Sequence, residues 1–369
     1  MEGLLRRAGI EIDGPHRSDI HVHNDGFYDR VLTGGSLGLG ESYLDRWWDC
    51  PRIDEMVCRI VEADLERSLD LPWRARLAAL KARMVNLQTT KRATRVVRVH
   101  YDLEVQLFER MLGPSMAYSC AYWKDAADLD QAQTDKLALV CRKLQLGGRD
   151  RVLDIGCGFG GLVRHVAREL GCPATGVTNS ASQHAYAQGL CKDLPVRILL
   201  ADYRAPVLGG GKPFDKIACI GMFEHVGVKN HRAFMEIVHE RLAAGGLFLL
   251  QTVGRSRPSG ATDPWVDKYV FPDGMLPSAA EIAEAVEGLF VIEDWHGLGA
   301  DYDRTLIAWH RNFERFAAEH EAALGRRFCR MWRYFLLSFA GNFRSRRGPQ
   351  LWQIVLSKSG VKGGYRSVR

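Results

Sequence analysis

A glycine-rich turn follows the strand-like segment RVLDI at residues 151–155. Gly156, Gly158, Gly160 and Gly161 stand in this turn, and an apolar, helix-like segment follows at 162–170. Glycines let the backbone turn tightly and approach a ligand closely, and the start of the next helix offers free N–H groups. The pattern predicts a nucleotide-binding turn. It satisfies both GxGxxG and GxGxG, so alone it does not separate a dinucleotide from S-adenosylmethionine.

The residues after the next strand-like segment favour S-adenosylmethionine. A dinucleotide site carries an Asp or Glu about 20 residues after the turn to bind the ribose. Here the segment at 174–178 ends at Thr178, with Gln183 a turn later and no carboxylate between them. Asp154 can orient the glycine turn, and Asp202, after the third segment, is placed for the adenine side. We therefore expect S-adenosylmethionine as the cofactor.

Other residues with chemical potential stand in apolar surroundings. Glu224 lies within GMFEHVG, where a carboxyl group needs a partner. Cys120 alone is typical of a small buried hydrophobic residue. His21 and His23 form an HxH pair, but the alternation in IHVHND fits a strand and no further ligands adjoin them. The sequence therefore predicts no metal site.

These residues require a particular arrangement of elements. Apolar strand candidates alternate with helical segments such as 162–170 and 232–242. The strand candidates are 151–155, 174–178, 197–201, 215–220 and 247–253, with one more at 351–357. The alternation predicts an α/β fold, a doubly wound, Rossmann-like sheet whose ligand site lies at the carboxyl ends of the strands.

Length and composition indicate a folded globular protein with about two domains. The chain has 369 residues, of which 46% are apolar and 25% charged. Its nine cysteines never form CxxC, which excludes a disulfide framework or zinc ribbon and favours the reducing cytoplasm. The longest nearly unbroken apolar run, near residues 247–253, is far shorter than the roughly 20 residues that cross a bilayer.

The positive charge is concentrated in two stretches. Residues 71–101 hold eight Lys or Arg and no acid, and residues 322–369 hold eleven and no acid. Such stretches favour polyanions, either nucleic acid or an anionic membrane surface. Pro72 opens a helical pattern with one apolar and one basic face. It fits an interfacial membrane helix or a helix packed on its own domain.

Several longer motifs carry a family resemblance. They are YSCAYW (118–123), AQTDK (132–136), VLDIGCGFGG (152–161), GVTNSASQ (176–183), FEHVG (223–227), FPDGMLPS (271–278), ADYDRTLIAWHRNF (300–313) and LWQIVLSK (351–358). Together they resemble the cyclopropane fatty acid synthase family over nearly the whole chain. The resemblance implies a class I methyltransferase domain at 91–369 and a smaller, mainly helical, lipid-associated domain at 1–90.

The resemblance also implies the ligands, partners and site residues. The expected partners are unsaturated phospholipids at an anionic membrane surface and no nucleic acid, with the enzyme peripheral at the inner face of the membrane; a homodimer is left open. The expected S-adenosylmethionine contacts are Tyr101, Gly156, Gly158, Thr178, Gln183 and Asp202. A bicarbonate ion is expected to act as the base near Cys120, Glu224, Gln251, Val253 and Tyr302.

The chemistry of this family explains these residue types. An alkene is a weak nucleophile, so the sulfonium methyl must be held in line with it in a dry cavity. Methyl transfer leaves a carbocation, which an aromatic face stabilises until a base removes a proton and the ring closes. The aromatic candidates are Tyr302, Tyr269, Phe271 and Trp309.

The chain departs from the family pattern at a few positions. Gln251 replaces the usual histidine, and glutamine can donate a hydrogen bond but cannot relay a proton at neutral pH. Residues 104–106 read Glu-Val-Gln where the family usually has Gly-Asn-Asp, which affects cofactor-side contacts. Phe159 replaces a tryptophan, and Asn179 stands where an aliphatic residue is usual.

Three alternatives follow. Without the histidine, the carbocation could give a methyl-branched or methylenated chain, as in a fatty-acyl C-methyltransferase. A nucleic-acid methyltransferase would explain the basic stretches, but the Asn/Asp-Pro-Pro-aromatic motif is absent where Gly221-Met222-Phe223-Glu224 stands. A lipid-surface protein could also retain the cofactor fold without turnover.

Overall fold

The computed structural model describes residues 1–65, 101–206, 211–258 and 262–369. The basic stretch at 71–101 lies almost wholly outside the described residues, as do the Pro72 helix and the domain boundary expected near residue 90. The helices are α1 (Glu2–Arg7), α2 (Gly26–Leu44), α3 (Ile53–Glu62), α4 (Tyr101–Leu112), α5 (Leu129–Lys143), α6 (Gly161–Leu170), α7 (Ala181–Leu190), α8 (His231–Arg241), α9 (Pro264–Tyr269), α10 (Ala279–Val286), α11 (Gly299–Leu324) and α12 (Arg326–Arg344). The strands are β1 (His21–Val22), β2 (Trp48–Asp49), β3 (Val152–Ile155), β4 (Ala174–Thr178), β5 (Val196–Leu200), β6 (Phe214–Ile220), β7 (Leu242–Gly254), β8 (Val291–Gly297) and β9 (Gln350–Ser357).

Seven strands form one sheet in the order β5-β4-β3-β6-β7-β9-β8. The pairs from β5 to β7 are parallel, whereas β8 and β9 are antiparallel. After β3, the chain forms β4 and then β5 toward one edge of the sheet. It then returns to form β6 on the other side of β3. This order confirms the doubly wound α/β fold, and it places a topological switch point, where such sheets bind ligands, between β3 and β6.

Two apolar cores cover the faces of this sheet. Leu153 and Ile155 of β3 belong to one core, and Val152 of the same strand belongs to the other. Successive side chains of a strand point to opposite faces, so a strand covered on both faces is apolar at most of its positions. This burial explains why VLDI and its neighbours are recognisable from sequence.

The predicted strands are confirmed to within a few residues, but β8 was missed. It lies at the edge of the sheet, where Val291 and Ile292 are 43% and 41% exposed, and Glu293 and Asp294 interrupt its apolar pattern. A strand covered on one side only, with charged residues in it, carries little of the apolar periodicity that marks a buried strand.

The chain divides into two compact units. One comprises Met1–Val85, Ser259–Gly274 and Gly299–Gln350, and the other comprises Asn86–Pro258, Met275–Leu298 and Leu351–Arg369. We call them the helical unit and the sheet unit. The helical unit takes in two segments that sequence analysis assigned to the catalytic domain. Within the described ranges, no helix is both long and apolar enough to span a membrane.

Candidate functional site

The predicted site residues of the sheet unit follow the carboxyl ends of its parallel strands. Gly156 comes after β3, Thr178 ends β4, Asp202 comes after β5 and Glu224 after β6, while Gln251 lies near the end of β7. Because parallel strands end at the same edge of a sheet, the fold brings these five positions to one edge.

The glycine turn after β3 is shaped for a close ligand. Gly156, Gly158 and Gly160 have φ of +84°, +54° and +85°, a region that favours glycine. A Cβ at Gly156 would lie 2.6 Å from the Cβ of Met222, whereas a Cβ at Gly158 would meet no heavy atom within 4 Å. The turn is therefore packed on one side and open at Gly158, which fits S-adenosylmethionine beside the backbone.

Thr178 and Gln183 contact each other directly. The Thr178 hydroxyl donates to Oε1 of Gln183 at 2.9 Å, and it accepts from the backbone N–H of Ser180 at 3.2 Å. Ser180 caps helix α7 through the N–H of Gln183. Both predicted cofactor residues thus belong to one hydrogen-bonded turn, with the Gln183 amide oriented by Thr178.

Asp202 is held by Arg204, which sequence analysis did not single out. Two guanidinium N–H groups of Arg204 donate to the carboxylate at 2.7 Å each, and the Arg204 backbone N–H donates at 2.9 Å. Burial raises the pKa of Asp202, but the hydrogen bonds from Arg204 outweigh it, so this pKa lies below its usual value. The carboxylate is therefore ionised and retains lone pairs for a further hydrogen-bond donor, and its contact with adenine stays a prediction.

Glu224 combines burial with an incomplete hydrogen-bond set. It is 8% exposed, and its Oε1 accepts from the backbone N–H of Val253 at 2.6 Å. Its Oε2 has no partner among the described residues. Burial raises the pKa of Glu224 to about 7, although the Val253 N–H lowers it. The carboxyl group can exchange a proton near neutral pH, and Oε2 remains as an acceptor for a ligand.

Gln251 is fixed by a second glutamine. Its Oε1 accepts from Nε2 of Gln353 at 2.9 Å, and both side chains are buried. Its backbone oxygen accepts from the N–H of Gly221, ahead of Glu224, at 3.0 Å. Because Gln353 engages the oxygen, the group that Gln251 offers a ligand is its N–H₂ donor.

Cys120 is fully buried in the loop between α4 and α5. Its thiol donates to the oxygen of Ala121 at 3.1 Å and to that of Leu298 at 3.9 Å. Both carbonyls belong to the sheet unit, so the thiol bridges this loop and the end of β8.

The predicted aromatic residues all belong to the helical unit. Tyr302 lies on α11 with its ring 6.0 Å from that of Trp309 and 4.7 Å from that of Phe343. Tyr269 and Phe271 lie at and just beyond the end of α9. That Tyr302 joins Cys120 and Glu224 at one site stays a prediction. Tyr101 begins α4, and its side chain lies outside the described part.

The HxH motif has a structural explanation. His21 belongs to the short strand β1, and Nε2 of His23 is 3.0 Å from the carboxylate of Asp49. Across the residues that the structure describes, no group of three or more His, Cys, Asp or Glu could hold a metal ion.

The comparisons with known proteins agree with these features. A family model described as mycolic acid cyclopropane synthetase matches residues 88–354. The cyclopropane-fatty-acyl-phospholipid synthase of Escherichia coli strain K12 is 48% identical over 366 residues, which are 99% of this chain and 94% of the relative. This chain belongs to the cyclopropane synthetase family.

Solved structures of this family share the fold. The cyclopropane synthase MmaA2 from Mycobacterium tuberculosis is 27% identical with a TM-score of 0.64, over 70% of this chain and 96% of that one. The mycolic acid cyclopropane synthase CmaA1, solved with S-adenosylhomocysteine (SAH) and CTAB, is 27% identical with a TM-score of 0.63 over the same shares. Like them, this chain is a class I methyltransferase, and it uses S-adenosylmethionine.

Some partners within this cyclopropane synthetase site were not found from sequence. Gln353 lies in the LWQIVLSK motif, about a hundred residues from Gln251, and Arg204 follows Asp202 by two positions. A basic residue so close to a proposed adenine contact was a usable signal, whereas the Gln353 pairing depends on strand order. Val253 was named from the family resemblance alone, because it contacts Glu224 through its backbone N–H and its side chain gives no chemical signal.

Proposed function

We propose that the enzyme transfers the methyl of S-adenosylmethionine to the cis double bond of unsaturated phospholipid acyl chains and closes a cyclopropane ring, with bound bicarbonate as the base. Similarity over 99% of the chain to a cyclopropane-fatty-acyl-phospholipid synthase supports the substrate class. The observation that carries the anion site is buried Glu224, whose unpartnered Oε2 lies at the cofactor edge of the sheet.

In this proposal S-adenosylmethionine supplies the methyl group, and bicarbonate supplies a base that is small and held away from the cation. The glycine turn and the Thr178–Gln183 pair hold the cofactor. Glu224 accepts a hydrogen bond through Oε2, and the Gln251 amide donates one. Together they present an acceptor and a donor, which is the complement of a bicarbonate ion with one O–H and two charged oxygens.

Val253 has a supporting role in this scheme. Its N–H donates to Glu224, which orients that carboxyl group and leaves Oε2 for the anion. Cys120 and Tyr302 stay proposed members of the anion site, and the four aromatic residues of the helical unit stay candidates for stabilising the carbocation.

A fatty-acyl C-methyltransferase is the second candidate. It is favoured by Gln251, because an amide fixed by Gln353 cannot accept or relay a proton as a histidine can. If the anion is not held, the carbocation loses its proton elsewhere and the product is methylenated or methyl-branched.

The substrate implies contact with a membrane surface. We propose that the enzyme acts as a peripheral protein on the inner face of an anionic membrane, and the basic stretch at 71–101 is the feature that supports this.

Product structure tests the proposal directly. The enzyme is incubated with unsaturated phospholipid vesicles and S-adenosylmethionine labelled with ¹³C in the methyl group, and the extracted lipid is analysed by NMR. The proposal predicts label in a cyclopropane methylene. Label in a branched methyl or exocyclic methylene would favour the second candidate, and binding of cofactor without transfer would overturn both.

A further inference from the structure

A buried lysine contacts the loop that carries Cys120. Lys136 on α5 is 1% exposed, and its ammonium donates to the hydroxyl of Ser119 at 2.9 Å. One turn earlier, the amide of Gln133 donates to the backbone oxygens of Ala117 and Ser119, at 3.2 and 2.9 Å. Helix α5 thus holds the segment before Cys120 through two buried polar side chains.

A buried charge at this position destabilises the folded protein. A buried ammonium loses most of its hydration, and a neutral serine hydroxyl replaces only part of it. An apolar residue of similar size would pack at less cost. The carboxyl group that interacts electrostatically with Lys136 is that of Asp154 on β3, two residues before Gly156. Asp154 is 3% exposed, and its Oδ1 has no partner in the described chain.

The electrostatics link these groups. Burial lowers the pKa of Lys136 to about 8 and raises that of Asp154 to about 7, and each partly counteracts the shift of the other. The other titratable groups that face Lys136 are Cys120 in the loop and His165 on α6.

We propose that Lys136 is a positioning residue, acting through Ser119 to fix the segment before Cys120 during methyl transfer. The inference rests on the proposed methyl transfer to phospholipid but not on bicarbonate.

Lys136→Met tests the proposal, with Lys143→Met as a matched control. Lys143 lies on the same helix and is fully buried, but its ammonium faces Asp294 and His296. The readouts are thermal stability, calorimetric binding of SAH, and kcat and KM for labelled methyl transfer. We expect only Lys136→Met to lose at least tenfold in kcat/KM for S-adenosylmethionine or in SAH affinity, and the thermal melts show whether either variant is affected through unfolding instead.

Two further readouts separate positioning from folding. Ser119→Ala should lower the methyl-transfer rate by part of the amount that Lys136→Met does. The double variant should be little slower than Lys136→Met alone, because both substitutions remove the same hydrogen bond. The wild-type rate should fall above about pH 8, and the Lys136→Met rate should not. Ser119→Ala also decides the matter if Lys136→Met does not fold.

Equal losses in the two lysine variants, or independent effects of Ser119→Ala and Lys136→Met, would overturn the inference. If the wild type transfers no methyl to phospholipid, the proposed function fails, and the SAH affinities still compare Lys136→Met with its control.

Discussion

Glu224 shows how a site residue can oppose folding. Its pKa is about 7 in the folded protein against an ordinary 4.5, because burial penalises the charged form. The folded state therefore binds more protons than the unfolded state between these values, so stability is lost as pH rises from 4.5 through 7. In the proposed mechanism this cost has a use, because a carboxyl group titrating near neutrality can orient a bound anion and exchange a proton with it.

Glu224→Gln should therefore stabilise the protein and disable it. Glutamine keeps an oxygen for the Val253 N–H but carries no charge, so we expect a gain on the order of 2 kcal/mol at pH 8 that becomes small at pH 5. Turnover should fall about 10²- to 10⁴-fold while cofactor binding persists. Thermal melts at the two pH values and calorimetry check this. A gain independent of pH, or an unchanged rate, would contradict it.

At the scale of elements, a side chain of helix α8 holds the turn that follows β5. Arg241 donates to the backbone oxygens of Tyr203 and Ala205, at 2.9 and 3.4 Å, on either side of Arg204. The Asp202 carboxylate lies in this turn, and both of its oxygens accept hydrogen bonds from Arg204. The predicted cofactor contact of Asp202 thus depends on two arginines, Arg204 in the loop and Arg241 on a neighbouring helix.

Arg204→Met should weaken cofactor binding by roughly tenfold, because a charge-assisted hydrogen-bonded pair contributes about 1.5 to 3 kcal/mol and Asp202 is partly exposed. Calorimetry with SAH measures it. Arg232→Met is the control, since Arg232 pairs with Glu236 on the exposed face of α8. A similar affinity loss in both variants would show that Arg204 does not act through Asp202.

The elements also show what sequence can supply. Strands β3, β4 and β6 were predicted because burial on both faces makes most of their residues apolar, and their order places Gly156, Thr178 and Glu224 at one edge. The partner of Gln251 was not predictable, because β9 pairs beside β7 only after the chain has passed through α11 and α12. Hydrogen-bonded pairs between residues distant in sequence leave no local pattern.

At the scale of the molecule, the second basic stretch is less positive than its sequence indicates. Six of its eleven Lys and Arg side chains form ion pairs with acids from elsewhere in the chain. Arg344, for example, binds both Asp54 and Asp303. The stretch at 322–369 is therefore largely a structural network, and the stretch at 71–101 is the stronger candidate for contact with a membrane.

Vesicle binding should need anionic lipid and weaken as salt rises to physiological strength, where the Debye length is about 8 Å. Charge reversal of Arg74, Arg76, Lys81 and Arg83 should remove most of it, and reversal of Lys358, Lys362 and Arg366 should remove less. Sedimentation with vesicles of defined composition measures both. Equal binding to neutral vesicles at every salt concentration would refute the electrostatic explanation.

The central claim is that Glu224 and Gln251 hold a bicarbonate ion that serves as the base. Its most direct test is the rate of cyclopropane formation, followed by NMR, against bicarbonate concentration in carefully degassed buffer. Because the Gln251 amide can only donate, we expect weak anion binding, a steep rise in rate with added bicarbonate, and a lower half-maximal concentration in Gln251→His with the same product. Full-rate cyclopropane formation without bicarbonate, unchanged in Gln251→His, would contradict the claim and show that another group removes the proton.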